Sequence, residues 1–121
     1  MYKFPFEKLE VWRLSTDFAL KIYSLTNKFP DSEKFGLVSQ LRRASVSVPT
    51  NLAEGESRLS IKEKMRFFQI AYSSMMEVLS LLILSNSLDY ISQESMNNLR
   101  RDIELNANKI NALYKYHKSR C

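Results

Sequence analysis

The chain has 121 residues, a length that predicts a single domain. Hydrophobic residues make up 45% and charged residues 26%, which is typical of a globular protein, and the net charge of +5 favours anionic partners. Two glycines and three prolines are too few for the frequent turns of a β-sandwich or barrel, or for a glycine-rich nucleotide-binding loop.

Three short breaks divide the chain into four predicted helices, over residues 9–28, 33–54, 61–88 and 93–117. Pro30 ends the first helix because proline cannot continue a helix interior, and Gly55 suits a left-handed C-terminal cap of the second. Ser60 and Ser92 are N-cap residues for the third and fourth helices, and Glu63 completes a capping box with Ser60. Connections this short favour antiparallel neighbours, so the sequence predicts an all-α, up-down-up-down four-helix bundle.

Apolar spacing predicts which helix faces are buried. The first and third helices each carry two apolar seams. The second seam of the first helix contains Leu9, Trp12, Ala19 and Tyr23, and the second seam of the third helix contains Phe67, Ala71, Val78, Leu81 and Leu88. A helix with two seams either lies deep in the bundle or packs partly against another subunit, and the second alternative predicts a symmetric homo-oligomer. The fourth helix carries one seam, from Met96 to Tyr114, and is predicted to face solvent elsewhere.

The second helix carries a line of polar residues and an internal proline. The line holds Gln40, Arg43, Ser47, Asn51 and Glu54, and Arg58 extends it. Pro49 lacks the N–H that would bond the Ser45 carbonyl. Three interpretations of this line are open: a solvated face, a ligand or catalytic site, and a structural polar network. We favour the network, in which the polar side chains hydrogen-bond the Ser45 carbonyl freed by Pro49. In that network Arg43 and Glu54 are partly buried partners, so Arg43→Ala destabilises the fold while Arg42→Ala is tolerated.

Histidine and cysteine offer little for catalysis or metal binding. His117 and Cys121, the only residues of their kinds, lie on the predicted last helix and its tail. We therefore predict no enzymatic activity, no metal and no cofactor. No targeting segment is visible, and the longest apolar stretch, Val78–Leu84, is far below the roughly 20 residues of a membrane span. The expectation is a soluble, cytoplasmic protein without a membrane partner.

A long ordered block of the sequence resembles a known bacterial family. Its centre is Gln40-Leu-Arg-Arg-Ala-Ser-Val-Ser-Val-Pro-Thr-Asn-Leu-Ala-Glu-Gly55, flanked by Phe6-Glu-Lys-Leu9-Glu-Val-Trp12 and by Phe67-Phe68-x-Ile-Ala71-x-x-Ser74-x-x-Glu77. These motifs are similar to those of the four-helix-bundle family of 23S rRNA intervening-sequence proteins, over about residues 4–90. One departure is Tyr72-Ser73-Ser74, where the family commonly has a Gly-Ser pair.

The resemblance implies a non-enzymatic protein. A related branch, the accessory proteins of diversity-generating retroelements, forms a pentamer with a basic surface that engages nucleic acid and a reverse transcriptase. One hypothesis is therefore a nucleic-acid-binding homopentamer, for RNA or DNA, and the other is a scaffold whose main partner is a protein such as a reverse transcriptase. The candidate nucleic-acid contacts are Arg42, Arg58, Lys62, Lys64, Arg66, Arg100 and Arg101. Binding through such contacts is expected to be salt-sensitive.

Overall fold

The computed structural model describes all 121 residues and contains four α-helices and no β-strand. The helices are α1 (Glu10–Thr26), α2 (Leu37–Ser57), α3 (Ile61–Ser87) and α4 (Gln93–Lys118). Two short 3-10 turns, Pro5–Lys8 and Asp31–Glu33, precede α1 and α2. The predicted all-α fold is confirmed.

The four helices pack in a ring in which each contacts two neighbours. The α2–α3 interface is the largest and the α1–α4 interface is the smallest. Because successive helices are antiparallel, one end of the bundle gathers the first residues of the chain, the α2–α3 connection and the end of α4. We call this the α2–α3 end. The opposite end, with the α1–α2 and α3–α4 connections, is the α1–α2 end.

All four helices contribute large, fully buried side chains to one core. They include Phe18 and Ile22, Leu41 and Leu52, Phe68, Met75 and Leu82, and Ile103 and Ile110. The single seam predicted for α4 is buried from Met96 to Ile110, and Tyr114 is half-buried. Burial of these apolar side chains is the main stabilising contribution to the bundle.

The second seams of α1 and α3 are largely used within the chain. Ala19, Phe67, Ala71 and Val78 are buried, because α1 and α3 each pack against two neighbouring helices. Trp12 is half-buried, with its ring 5.1 Å from that of Phe6 in the N-terminal turn. Packing within the chain therefore accounts for most of the two second seams, whereas Tyr23 and Leu88 remain 41% and 45% exposed.

The start of α2 and the role of Gly55 differ from the prediction. Residues 31–33 form a separate 3-10 turn, so α2 begins at Leu37; the Glu33 carboxylate accepts a hydrogen bond from the Leu37 N–H at 3.3 Å. Glu33 also accepts from the Tyr90 hydroxyl, which raises the pKa of Tyr90. Gly55 is not a left-handed cap, since both glycines have negative φ and α2 continues to Ser57.

The buried position of Gly55 explains why no side chain stands there. A Cβ at Gly55 would lie 2.7 Å from Cε1 of Phe68 and 3.0 Å from Cβ of Phe67. Glycine therefore permits the close approach of α2 and α3 just before the chain turns between them. The left-handed residue of the chain is instead Asp89, with φ 64°, in the α3–α4 connection.

Both predicted N-caps are confirmed. The Ser60 hydroxyl accepts a hydrogen bond from the Glu63 N–H at 3.1 Å, and the Ser92 hydroxyl accepts from the Ser95 N–H at 3.1 Å. The reciprocal half of the capping box is not formed, because the Glu63 carboxylate lies 3.7 Å from the Arg66 guanidinium instead. Each serine satisfies one of the free N–H groups at its helix start.

By length and composition alone, α3 could cross a membrane. In the structure it packs between α2 and α4 and buries seven residues, among them Phe68, Met75 and Leu82. Its apolar residues are thus partly buried in the core, and Ile83 and Leu84 near its end remain exposed.

Candidate nucleic-acid interface

Positive charge is concentrated at the α2–α3 end. Three segments meet there, residues 1–13, 54–66 and 115–121, and together they hold ten Lys and Arg residues and five Glu residues. This end therefore carries a formal charge of +5, equal to that of the whole chain, and the rest of the molecule is neutral on balance. A charge of this size on one end attracts polyanions.

Two arginines of this end contact one aromatic ring. The guanidinium carbons of Arg58 and Arg66 lie 4.6 Å and 5.2 Å from the ring centre of Phe67, within the range of cation–π attraction. Their acidic neighbours, Glu54 and Glu63, lie at 4.0 Å and 3.7 Å, which are long distances for ion pairs. Both arginine side chains are exposed, so the ring orders the two guanidinium groups while leaving them accessible to a ligand.

The two predicted lysines of this end have different surroundings. The Lys64 ammonium donates a 2.7 Å hydrogen bond to the Glu56 carbonyl and is half-buried, so it satisfies a free carbonyl near the end of α2. Lys62 is exposed and makes no hydrogen bond or ion pair within the chain. Lys62 is consequently the freer of the two for contact with phosphate.

The remaining predicted contacts do not join this surface. Arg100 and Arg101 lie in the first half of α4, toward the α1–α2 end, and Arg101 donates a hydrogen bond to Asn98. Arg42 lies in the first half of α2, where its side chain is engaged with the end of α1. Four of the seven predicted residues are therefore brought together, and three are not.

Sequence reasoning missed six basic residues of this end, in its N-terminal and C-terminal segments. They are Lys3, Lys8, Arg13, Lys115, Lys118 and Arg120. The predicted up-down-up-down topology is sufficient to find them. In a bundle of four antiparallel helices, both chain ends lie beside the connection between the second and third helices.

The polar line on α2 is only partly a network. The hydroxyl oxygens of Ser47 and Ser74 lie 2.8 Å apart, and the Asn51 amide donates to the Ser47 carbonyl and hydroxyl at 2.8 and 2.9 Å. These bonds link α2 to α3 and to itself rather than meeting the Ser45 carbonyl freed by Pro49.

The outer members of the line stand apart from that network. Gln40, Arg43 and Glu54 are exposed, and Arg43 makes no side-chain hydrogen bond or ion pair. Arg43 and Glu54 are eleven positions apart on the helix, about 16 Å along the axis, which is too far for direct contact. The predicted Arg43–Glu54 pair is therefore absent: Arg43 is solvated, and the Glu54 carboxylate lies 4.0 Å from the Arg58 guanidinium.

His117 lies within the basic surface, half-buried near the end of α4. Its ring is 5.5 Å from that of Phe68 and 5.0 Å from that of Tyr116. Burial lowers the pKa of His117 below its ordinary value of 6.5, and the nearby positive charges of Lys64 and Arg120 lower it further, against the opposing effect of Glu56. The imidazole is therefore neutral near pH 7.

The comparisons with known proteins agree with this architecture. The family model for the 23S rRNA-intervening sequence protein matches residues 7–112. The chain belongs to this family. Among solved structures it is similar to a protein of unknown function from the S23 ribosomal protein family of Bacteroides thetaiotaomicron. That likeness has 24% identity and a TM-score of 0.81, over 87% of this chain and 95% of that one. No curated protein matches.

Family membership confirms the resemblance read from the central motif block. The motif residues are mostly structural: the block covers α2, whose Leu41, Val48 and Leu52 are fully buried, and Gly55 allows the close α2–α3 contact. The basic residues of the α2–α3 end lie largely outside that block. The α2–α3 end presents the exposed guanidinium groups of Arg58 and Arg66 beside the Phe67 ring. No group of three His, Cys, Asp or Glu side chains converges as a metal site.

Proposed function

We propose that this member of the 23S rRNA-intervening sequence family is a non-enzymatic, cytoplasmic protein that binds RNA or DNA through its α2–α3 end. The observation that carries the proposal is the concentration of the net charge of +5 at that end, with Arg58 and Arg66 ordered against Phe67. Guanidinium groups suit phosphate because their planar N–H donors match two of its oxygens.

Binding of this kind rests on phosphate contacts. Each cation that neutralises a phosphate releases a condensed counterion, so affinity falls steeply as salt rises. Contacts to phosphate carry no sequence information by themselves, so we expect affinity without marked sequence preference.

The test is a titration of labelled oligonucleotides, followed by fluorescence anisotropy between about 50 and 200 mM salt. We expect log affinity to fall linearly with log salt, and the double variant Arg58→Gln/Arg66→Gln to reduce that slope by about two. The matched control is Arg100→Gln/Arg101→Gln, which removes the same charge from the other half of the molecule and is expected to leave binding nearly unchanged.

Two outcomes would contradict the proposal. One is the absence of binding even at low salt. The other is an equal effect of both double variants, which would mean that only the overall charge matters and that the α2–α3 end is not the contact surface.

We also propose that the protein acts as a homo-oligomer, with five subunits as the family resemblance implies. Support within the chain comes from Ile83, Leu84 and Leu88 at the end of α3, which are 46%, 49% and 45% exposed. Adjacent exposed apolar side chains favour an interface between subunits. Assembly would bring several basic ends together and strengthen binding to a long polyanion through multiple contacts.

A protein-interaction role is the second candidate function, and it is favoured by Phe35. This side chain is 90% exposed at the α1–α2 end, opposite the basic surface. A partner protein such as a reverse transcriptase would bury it, and aromatic side chains commonly dominate binding energy in interfaces. Pull-down of a candidate partner that is lost on Phe35→Ser, with nucleic-acid affinity unchanged, would support this role; an unchanged pull-down would oppose it.

A further inference from the structure

Three exposed aromatic side chains lie at the α2–α3 end, whose net charge is positive. Tyr2, Phe4 and Tyr116 are 71%, 59% and 52% exposed. Basic residues combined with exposed rings are typical of proteins that hold single-stranded nucleic acid, because every base can stack on an aromatic face. We propose that this end binds single-stranded rather than duplex nucleic acid, with unpaired bases stacked on these three rings. This inference rests on the proposed function.

All three rings lie at the α2–α3 end: Tyr2 and Phe4 in the N-terminal segment, and Tyr116 two residues before the end of α4. Phe4 lines a groove between the N-terminal turn and the end of α2, together with the acidic residues Glu54 and Glu56. The Glu56 carbonyl accepts a hydrogen bond from Lys64, and Arg120 lies over the Tyr116 ring. A strand crossing this end can therefore meet exposed rings together with basic side chains.

The rings are arranged so that bases can reach them. Tyr2 and Phe4 meet edge to face, with centres 5.0 Å apart and planes at 88°, so their contact covers one face of only one of the two rings. The Arg120 guanidinium lies 4.5 Å from the centre of the Tyr116 ring. A base stacked on Tyr116, which is 52% exposed, would thus have a phosphate-binding group beside it.

A duplex would use this surface less well. Its bases are already paired and stacked, so it would present only phosphates, and the three rings would remain exposed to water. A single strand offers both phosphates and base faces. We therefore expect the preference for single strands to come from base stacking, whose contribution to affinity changes little with salt. The phosphate contacts add a second contribution, which weakens strongly as salt rises.

The experiment compares three labelled probes of equal length at fixed salt: a single strand, a blunt duplex of the same sequence, and an abasic strand with the same phosphates and no bases. We expect the wild-type protein to bind the single strand about tenfold or more tightly than the abasic strand, and more tightly than the duplex. This comparison uses only the wild-type protein, so it does not depend on any variant folding.

A variant comparison locates the stacking. Tyr2→Ala/Phe4→Ala/Tyr116→Ala is expected to lose about tenfold or more in single-strand affinity, with an unchanged salt slope and an unchanged abasic affinity. Tyr2→Phe/Tyr116→Phe keeps the rings and is expected to bind like the wild type. Phe35→Ala is the matched control, since it removes an exposed ring from the opposite end.

The outcomes separate this inference from the proposed function. Equal binding of single, abasic and duplex strands, with salt dependence preserved, would overturn stacking and leave phosphate binding at the α2–α3 end intact. Failure of all three probes to bind would overturn the proposed function itself. A loss of affinity in Phe35→Ala equal to that of the triple variant would also overturn the placement of the stacking surface.

Discussion

Arg42 and Arg43 are adjacent on α2 but have opposite surroundings. The Arg42 guanidinium donates hydrogen bonds of 2.9 Å to the Thr26 hydroxyl and of 2.9 Å to the Asn27 side chain, and it lies 4.6 Å from the centre of the Tyr23 ring. It thereby ties the start of α2 to the end of α1. Arg43 is exposed and makes no such contact.

We expect Arg42→Ala to reduce the free energy of unfolding by about 1–2 kcal/mol, because charged hydrogen bonds and a cation–π contact are lost at a half-buried site. Arg43→Ala is the control and should change stability by no more than about 0.5 kcal/mol. Urea unfolding of the two variants measures both values. A larger loss of stability in Arg43→Ala than in Arg42→Ala would instead support the structural role predicted for Arg43 from the sequence.

His117 makes stability depend on pH. Its pKa is lowered by burial in the folded state, whereas in the unfolded chain it titrates near its ordinary value of 6.5. The unfolded state therefore binds more protons between the folded pKa and 6.5, so stability falls as pH decreases through this window. We expect His117→Gln to lose less stability than the wild type between about pH 7.5 and 5.5. Urea midpoints at both pH values test this, and identical losses would contradict it.

The α2–α3 interface depends on the missing side chain of Gly55. Alanine is the better helix former by about 1 kcal/mol, so Gly→Ala within an exposed helix is expected to stabilise. At Gly55 the added methyl would lie 2.7 Å from the Phe68 ring, and such overpacking costs about 1–3 kcal/mol. We expect Gly55→Ala to lower the melting temperature, whereas Ser57→Ala, at an exposed position two residues later, should not.

A second-site change checks the cause of that loss. If the clash with the Phe68 ring is responsible, the combination of Gly55→Ala with Phe68→Leu should cost less than the two single changes added together. Strict additivity would show that the loss has another origin.

The α1–α4 interface is the smallest of the four helix interfaces. Two ion pairs span it: Lys21–Asp102 at 2.8 Å and Glu10–Lys109 at 2.6 Å. The hydrogen bond from Lys109 lowers the pKa of Glu10. Both pairs are largely exposed, so each contributes little to stability.

Asn106 also lies at this interface and is 2% exposed. Its amide nitrogen donates to the Asp102 carbonyl at 2.9 Å, but its Oδ1 atom is buried and accepts no hydrogen bond. An unpaired buried acceptor is destabilising, so we expect Asn106→Leu to raise the free energy of unfolding by about 1 kcal/mol. Asn108→Leu, at an exposed position of α4, is the control. A clear loss of stability in Asn106→Leu would show that the Oδ1 atom has a partner in solution.

The two ends of the molecule differ in character. The net charge of +5 lies at the α2–α3 end, whereas the Phe35 side chain is 90% exposed at the α1–α2 end. The exposed apolar side chains at the end of α3, toward the α1–α2 end, are the best candidates for contact between subunits.

We expect sedimentation at micromolar concentration to give five times the chain mass. The variant Ile83→Ser/Leu84→Ser/Leu88→Ser should shift it toward the monomer, because burial of these side chains stabilises the interface. Leu59→Ser is the control, since Leu59 is fully exposed at the α2–α3 turn. A wild-type monomer would contradict assembly, and another subunit number would contradict only the family analogy.

The sequence by itself determined the helices and their order. Ser60 and Ser92 cap α3 and α4 as predicted, because a cap bonds a backbone N–H only three residues away. The seam of α4 was predictable for the same kind of reason, since residues three and four apart share a helix face. Family membership was also evident from the ordered motif block of α2.

Only the tertiary structure decided the roles of Gly55, Arg42 and the basic end. Gly55 was interpreted as a cap because its true constraint, the Phe68 ring, is thirteen residues away on another helix. Arg42 and Arg43 are alike in sequence, and only the position of the end of α1 tells them apart. The basic surface joins three segments that are distant along the chain, so its composition depends on how the helices meet. Interactions of this kind depend on distances in space, which spacing along a single helix does not specify.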